Sequence, residues 1–301
     1  MEASGPRLIQ YADKAALFSI WDLADIHWGN EGCAKAKLRS DVNVIKTDPY
    51  SFWFLGGDYC DFISPGDKRF DAECIDKTIK VCDLARIASH LTFGVVGELL
   101  PIKDKCLGAL YGNHEHKYMQ YMEHSEIHDE VCKELEASNM RYCGITDIWF
   151  EYNRKLRKPT RVFKTPTRDM IGKPNQVRLR VLVHHGFGGA NTAGGRINAL
   201  VKEMGQLQDV DLIIMGHLHE ILGKVVVRLT ASADCTSIHQ VCSVGMLTGS
   251  YLRSYDKGHT SYAEVKGYSP NALGATRATF SPLYRELEVR NKAIVGGSHT
   301  V

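Results

Sequence analysis

Several familiar signatures are missing from this chain. No stretch approaches the roughly 18 consecutive apolar residues of a membrane span. Met1 to Ile20 carries Glu2, Arg7, Asp13 and Lys14 where a secretion signal would have its apolar core. There is no C-x-x-C pair: nine cysteines, at 33, 60, 74, 82, 106, 132, 143, 235 and 242, are scattered and odd in number. That argues against a disulfide framework or a thiolate zinc site and for a reducing compartment, so the expectation is a cytoplasmic protein with no membrane partner. Charge of one sign is lacking too. Lys and Arg number 37 against 35 Asp and Glu, a net +2 that gives bulk electrostatics no claim on nucleic acid or membrane. No repeat, low-complexity tract or interdomain linker stands out, so one domain over 1–295 is expected, with 296–301 as a frayed tail.

What the chain does have is core material, 44% apolar against 24% charged over 301 residues, which is globular composition. Five short apolar runs each end in Asp, Asn or His. Leu17 to Leu23 precedes Asp25-Ile26-His27, and Phe52 to Leu55 precedes Gly57-Asp58-Tyr59-Cys60-Asp61. Leu107 to Tyr111 precedes Gly112-Asn113-His114-Glu115, Val181 to Val183 precedes His184-His185-Gly186, and Leu212 to Met215 precedes Gly216-His217-Leu218-His219. Continuous apolar runs predict strands buried on both faces, and polar clusters at strand C-terminal ends mark where open α/β sheets keep their sites. Apolar spacing predicts helices over 71–91 and 115–138, and β-rich patterns over 147–183 and 224–289 predict a second sheet.

Taken singly, Asp and Asn at strand ends are ordinary turn and capping residues. Together, the imidazoles, carboxylates and amide oxygen suit Mn, Fe, Zn, Co or Ni, and seven such groups exceed the needs of one ion. Two ions imply a bridging carboxylate, for which Asp58 is the natural choice, and a pair of cations can clamp the attacking and leaving oxygens of a phosphate displacement.

These five blocks, D-x-H, G-D-x-x-D, G-N-H-E, H-G and G-H-x-H, spanning 25 to 219, resemble the calcineurin-like metallophosphoesterase superfamily. The glycine-rich stretch from Gly186 to Arg196 and the segment from Gly249 to Pro270 resemble phage and prophage-type members. The resemblance implies an α/β fold, a four-layer α/β/β/α sandwich of two mixed β-sheets flanked by helices. It also implies a phosphodiesterase, with phosphomonoesters as further substrates, that uses two divalent ions, Mn2+ first among them. It places Asp25, His27, Asp58 and His219 on one ion, and Asp58, Asn113, His217 and a histidine of the fourth block on the other. That histidine is His184 or His185; the H-G spacing favours His185 and leaves His184 behind it. In such enzymes a metal-bridging hydroxide attacks phosphorus, so His114 would assist the leaving group and Asp61 would orient His114.

In the protein Ser/Thr phosphatase branch an arginine follows G-D-x-x-D, whereas Phe62 stands here. A phosphate clamp must then come from elsewhere, and Arg196 beside the glycine-rich loop is the candidate. From Arg154 to Arg180, ten basic residues stand against the single acid Asp169. They could track a nucleic-acid backbone, which makes a DNA or RNA nuclease the alternative, or form a solvated hairpin. A non-catalytic interaction module on the same fold is the remaining alternative. His116, His124 and His128 are expected on a solvated helix face, and His259 in a surface loop.

Overall fold

The computed structural model describes residues 1–62, 72–121, 126–255, 262–267, 269–270 and 272–290. His124, His259 and the tail 296–301 lie outside the described residues. In chain order the strands are β1 (Glu2–Ala3), β2 (Arg7–Tyr11), β3 (Phe18–Leu23), β4 (Ser51–Gly56), β5 (Cys106–Leu110), β6 (Cys143–Tyr152), β7 (Thr160–Phe163), β8 (Gln176–His184), β9 (Leu212–Met215), β10 (Leu222–Ala231), β11 (Ile238–Leu247), β12 (Thr276–Ser281) and β13 (Glu286–Arg290). The helices are α1 (Lys35–Thr47), α2 (Ile87–Leu99), α3 (Asn113–Tyr121), α4 (Ile127–Glu134), α5 (Ala193–Met204) and α6 (Tyr262–Lys266). Among the described residues, no helix is long and apolar enough to cross a membrane. All nine cysteines are free.

The chain is an α/β protein with two mixed sheets. One runs β10-β11-β9-β8-β6-β2-β7, with β1 beside β6, and the other runs β13-β12-β3-β4-β5. Period-two alternation explains how the apolar runs serve two cores at once. Phe18 and Ile20 of β3 and Phe52 and Phe54 of β4 face the first sheet, meeting Ile148, Phe150, Val181, Val183 and Ile214. Their neighbours Trp21, Leu23, Trp53 and Leu55 face outward onto α1, α2 and α4, meeting Leu38, Ile45, Leu91, Val95 and Val131. On the far side of the first sheet, Leu182, Ile213 and Met215 pack under Leu200 and Met204 of α5. At ~25 cal/mol per Å2 of apolar surface, these three layers supply the main drive to fold.

Two of the expected helices are broken. Over 71–91 the α-helix starts only at Ile87, preceded by short 3-10 turns. Asp76 accepts from the Thr78 amide (2.9 Å) and hydroxyl and pairs with Lys35, while Asp83 accepts from the Lys80 amide (2.8 Å). Such side-chain bonds offer the backbone an alternative to helix. The expected 115–138 helix is seen as α3 and α4. The helix α1 was not among the expected elements, although Leu38, Val42 and Ile45 form its buried stripe.

Candidate metal centre

All five polar clusters follow the C-terminal ends of β3, β4, β5, β8 and β9, and the backbone laces their loops together. The Asp25 amide donates to Gly57 O (2.9 Å) and the His27 amide to Asp58 O (3.0 Å). Asp25, His27, Asp58, His217 and His219 all have φ between 46° and 67°. Non-glycine residues are uncommon there, each at a cost of order 1–3 kcal/mol that the surroundings must offset. Half of the ten such residues described are therefore in this one place. At Gly112 the crowding excludes any side chain: a Cβ would stand 2.1 Å from Asp58 Oδ1 and 2.6 Å from His185 Cε1.

Three groups of donor atoms result, each with its members within 4.8 Å: Asp25, His27 and His219; His27, Asp61 and His114, which shares His27 with the first; and Asp58, His185 and His217. His219 Nε2 lies 3.2 Å from Asp25 Oδ1, and the His217 amide donates to Asp25 Oδ2 (2.8 Å). His185 Nε2 lies 3.4 Å from Asp58 Oδ2 and 3.3 Å from Asn113 Oδ1. Its Nδ1 is held by Gly56 O at 2.8 Å. Asp58 Oδ1 accepts from the His114 amide (2.8 Å). The seven residues expected to hold ions are thus gathered, and His185 rather than His184 is the fourth-block histidine that joins them.

The carboxylates and imidazoles of the cluster stabilise charge on one another. Burial alone would raise the Asp58 carboxyl, yet the His185 and His114 imidazoles hold it well below the ordinary range. Burial opposes charge on His185 as well, but the Asp58 and Asp25 carboxylates push it up to about 10. Asp61, its side chain only 10% exposed, still ionises readily, because His27 Nδ1 donates to it (3.2 Å) and His114 Nδ1 lies 3.2 Å from the same oxygen. Asn30 Nδ2 donates to its other oxygen (2.7 Å). With Nδ1 so engaged, His27 Nε2 is buried and has no hydrogen-bond partner among the described residues. An imidazole held at one nitrogen by a carboxylate, with the other nitrogen bare and buried, is the usual arrangement of a metal ligand.

Two contributors escaped the sequence reading. Glu115, fully buried, accepts from the amides of Gly112 (2.7 Å), Asp58 (2.9 Å) and Cys60 (3.0 Å) and so ties the second and third loops together. Its place in the G-N-H-E block was the signal. Asp22 lies under the site in β3, pushed up to about 8 by burial first and by Asp25 second. Both its oxygens lack a hydrogen-bond partner among the described residues. A carboxyl inside the run Trp21-Asp22-Leu23 was the only hint.

Other expected residues lie apart. Arg196 donates from Nε to Ala190 O (3.1 Å) and pairs with Glu220, so its guanidinium is already engaged. Phe62 is buried and stacks on Tyr118, with centroids 4.6 Å apart. His116 is exposed as expected, but His128 is not on a solvated face. It is buried, 3.2 Å from the Tyr59 hydroxyl and 3.4 Å from Cys132 Sγ, because α4 turns that side onto the second sheet's outer core. Most of the basic segment, 154–175, sits at the far end of the first sheet, while Arg178 and Arg180 stand within β8. Antiparallel register puts Cys143 opposite His184 and Glu151 opposite Gln176, so the stretch between β6 and β8 starts roughly 25 Å from the histidines at the end of β8.

Compared with protein-family models and with curated proteins, the chain gives no match.

Proposed function

We propose that the protein is a dinuclear metal-dependent phosphoesterase acting on phosphodiesters, with phosphomonoesters as further substrates, and that its two sheets form a calcineurin-like sandwich. The observation that carries this reading is the convergence of two Asp/His groups on five strand ends, with His114 held by Asp61 beside them. Asp25, His27, His219 and Asp58 would hold one divalent cation, and Asp58, Asn113, His185 and His217 the other, with Mn2+ the first expectation for such a donor set. When bound, such a pair supplies Lewis acidity towards phosphoryl oxygens and a water acidic enough to be a nucleophile near neutral pH.

The chain's own part in the reaction centres on His114. Its Nδ1 faces the Asp61 carboxylate, and its Nε2 stands 3.9 Å from Asp58 Oδ2, at the edge of the donor cluster. Asp61 would orient the ring so that Nε2 can serve the departing oxygen as a proton or hydrogen-bond donor. Glu115 and Asn30 fix the loops that carry Asp58 and Asp61 and keep both carboxylates aimed. Because most of the basic segment lies at the other end of the sheet, the geometry favours small diesters over a nucleic acid tracked by that segment.

The test is hydrolysis of bis-p-nitrophenyl phosphate beside p-nitrophenyl phosphate, with added Mn2+ and after chelation, with Asp58→Asn alongside. Metal-dependent turnover, faster on the diester and absent from the variant, is expected. Turnover that survives Asp58→Asn would remove Asp58 from the site, and its absence with every divalent metal would sink the phosphoesterase reading and favour an interaction module. Cleavage confined to DNA or RNA, falling steeply with salt, would favour the nuclease.

A further inference from the structure

His184 and His185 are adjacent in sequence, yet their partners lie on opposite sides of the first sheet. Strand alternation puts Val181 and Val183 of β8 on the inner face and Leu182 and His184 on the outer one, under α5. Cys143, the first residue of β6, is the register partner of His184. From α5, Glu203 reaches the same spot, one helical turn from Leu200 and next to Met204, both of which pack on that face. The Cys143 thiol, a His184 ring nitrogen and a Glu203 carboxylate oxygen all lie within 4.8 Å of one another.

Glu203 supplies an independent pointer to a ligand. The residue is 1% exposed, and its Oε1 is buried with no hydrogen-bond partner among the described residues. Its Oε2 takes the Gln206 side chain (2.7 Å), so the carboxylate is aimed rather than loose. The Gly186 amide donates to His184 Nδ1 (2.7 Å), which leaves the proton of the neutral ring on Nε2, so ligation through either nitrogen exchanges this bond for the cation. An orphaned carboxylate oxygen in an apolar layer is costly, and a cation among three donors would remove that cost.

We infer that Cys143, His184 and Glu203 form a further cation site, distinct from the strand-end cluster, that takes Zn2+ with water in the fourth position. One thiolate, one imidazole and one carboxylate make a borderline-soft set that suits Zn2+ over Mn2+. Tetrahedral Zn2+ places its ligand atoms about 3.4–3.8 Å apart, so side-chain rotations that draw the three donors in by about 1 Å complete the site. Sequence spacing could not show it, because positions 143, 184 and 203 meet only through the β6–β8 register and the seating of α5. Bound there, Zn2+ would pin α5 to the sheet just outside the loop that carries His185.

Co2+ reports on this site without any measure of catalysis, since thiolate ligation gives a near-ultraviolet charge-transfer band that oxygen and nitrogen ligands do not. Titrating the reduced full-length protein with Co2+ is expected to produce that band, and Zn2+ to abolish it. The band persists in Asp58→Asn and vanishes in Cys143→Ser. Glu203→Gln, which keeps the side chain's size, retains the band but weakens its titration at least about tenfold, the loss typical of even an outer-shell partner. No band in the unaltered protein, a full band in Cys143→Ser, or an unshifted titration in Glu203→Gln would each overturn the site. None of these readings depends on whether the strand-end cluster is catalytic.

Discussion

The strand-end cluster and the basic segment from Arg154 to Arg180 are the two most charged regions, and they handle charge in opposite ways. At the strand ends, Asp25, Asp58, His27 and His185 are buried, lean on one another and, for three of the four, hold a left-handed backbone. In the basic segment, Arg154, Lys155, Arg157, Lys158, Arg168 and Lys173 stay exposed. The rest find local partners: Arg180 bonds Asp147 (2.7 Å) and pairs with Asp209, Lys164 donates to the carbonyls of Lys103 (2.7 Å) and Glu136 (2.8 Å), and Arg161 lies over the Phe163 ring. Burying charge is expensive unless partners or a ligand compensate, whereas leaving it in water costs little. The difference teaches that concentration of charge along the sequence is a weaker sign of function than charge the fold goes to the expense of burying.

Substitutions can break that contrast, and the largest effect is expected at Asp58. Asp58→Asn should reduce metal-dependent hydrolysis to background, beyond the roughly 10²–10³-fold loss typical of a single transition-state contact. Both cations would lose a shared ligand, so metal titration should weaken in parallel. His114→Asn should keep the metals and lose about 10²–10⁴-fold on diesters with poor leaving groups, and far less on p-nitrophenolate. Equal losses on both substrates would remove His114 from that role. Asp61→Asn, acting through His27 and His114, should cost about 10–100-fold in metal affinity or rate.

A pH measurement sharpens the contrast at a buried imidazole outside the cluster. Burial lowers His128 from its ordinary 6.5 to about 4. The folded state therefore prefers the neutral ring. Its contribution is fully present above about pH 6.5 and is lost as pH falls from there towards 4, by up to about 3 kcal/mol. Thermal unfolding of His128→Gln should show a flatter decline across that window than the unaltered chain, and identical slopes would refute the assignment. The smallest effect is expected in the basic segment. Replacing Arg154, Lys155, Arg157 and Lys158 with Ala should change stability by only a few tenths of a kcal/mol per site and leave small-diester turnover unaltered. A large fall in turnover would return that segment to the functional site.

The strands that carry the cluster were legible because an apolar run buried on both faces and closed by Gly and Asp reads plainly in one dimension. The donor residues were legible for the same reason, since each lies within four residues of its run. What the sequence concealed depends on neighbours. The Asp76 side-chain turn that delays α2 until Ile87 competes with a helical pattern that is otherwise present. His128 looked solvated until α4 was laid against Tyr59. The H-G spacing already favoured His185 over His184, and the β8 register supplies the reason, because a shift of one residue exchanges the two faces of a sheet. Arg196 appeared available beside its glycine-rich loop until Glu220 was found against it.

The central claim is that the strand-end groups are two halves of one dinuclear site. Crystals grown with Mn2+ and measured at the manganese absorption edge test it most directly. The expected result is two anomalous peaks about 3.5–4 Å apart, one against Asp25, His27 and His219, the other against Asn113, His185 and His217, with Asp58 between them. A single peak, or none within this cluster, would contradict the account.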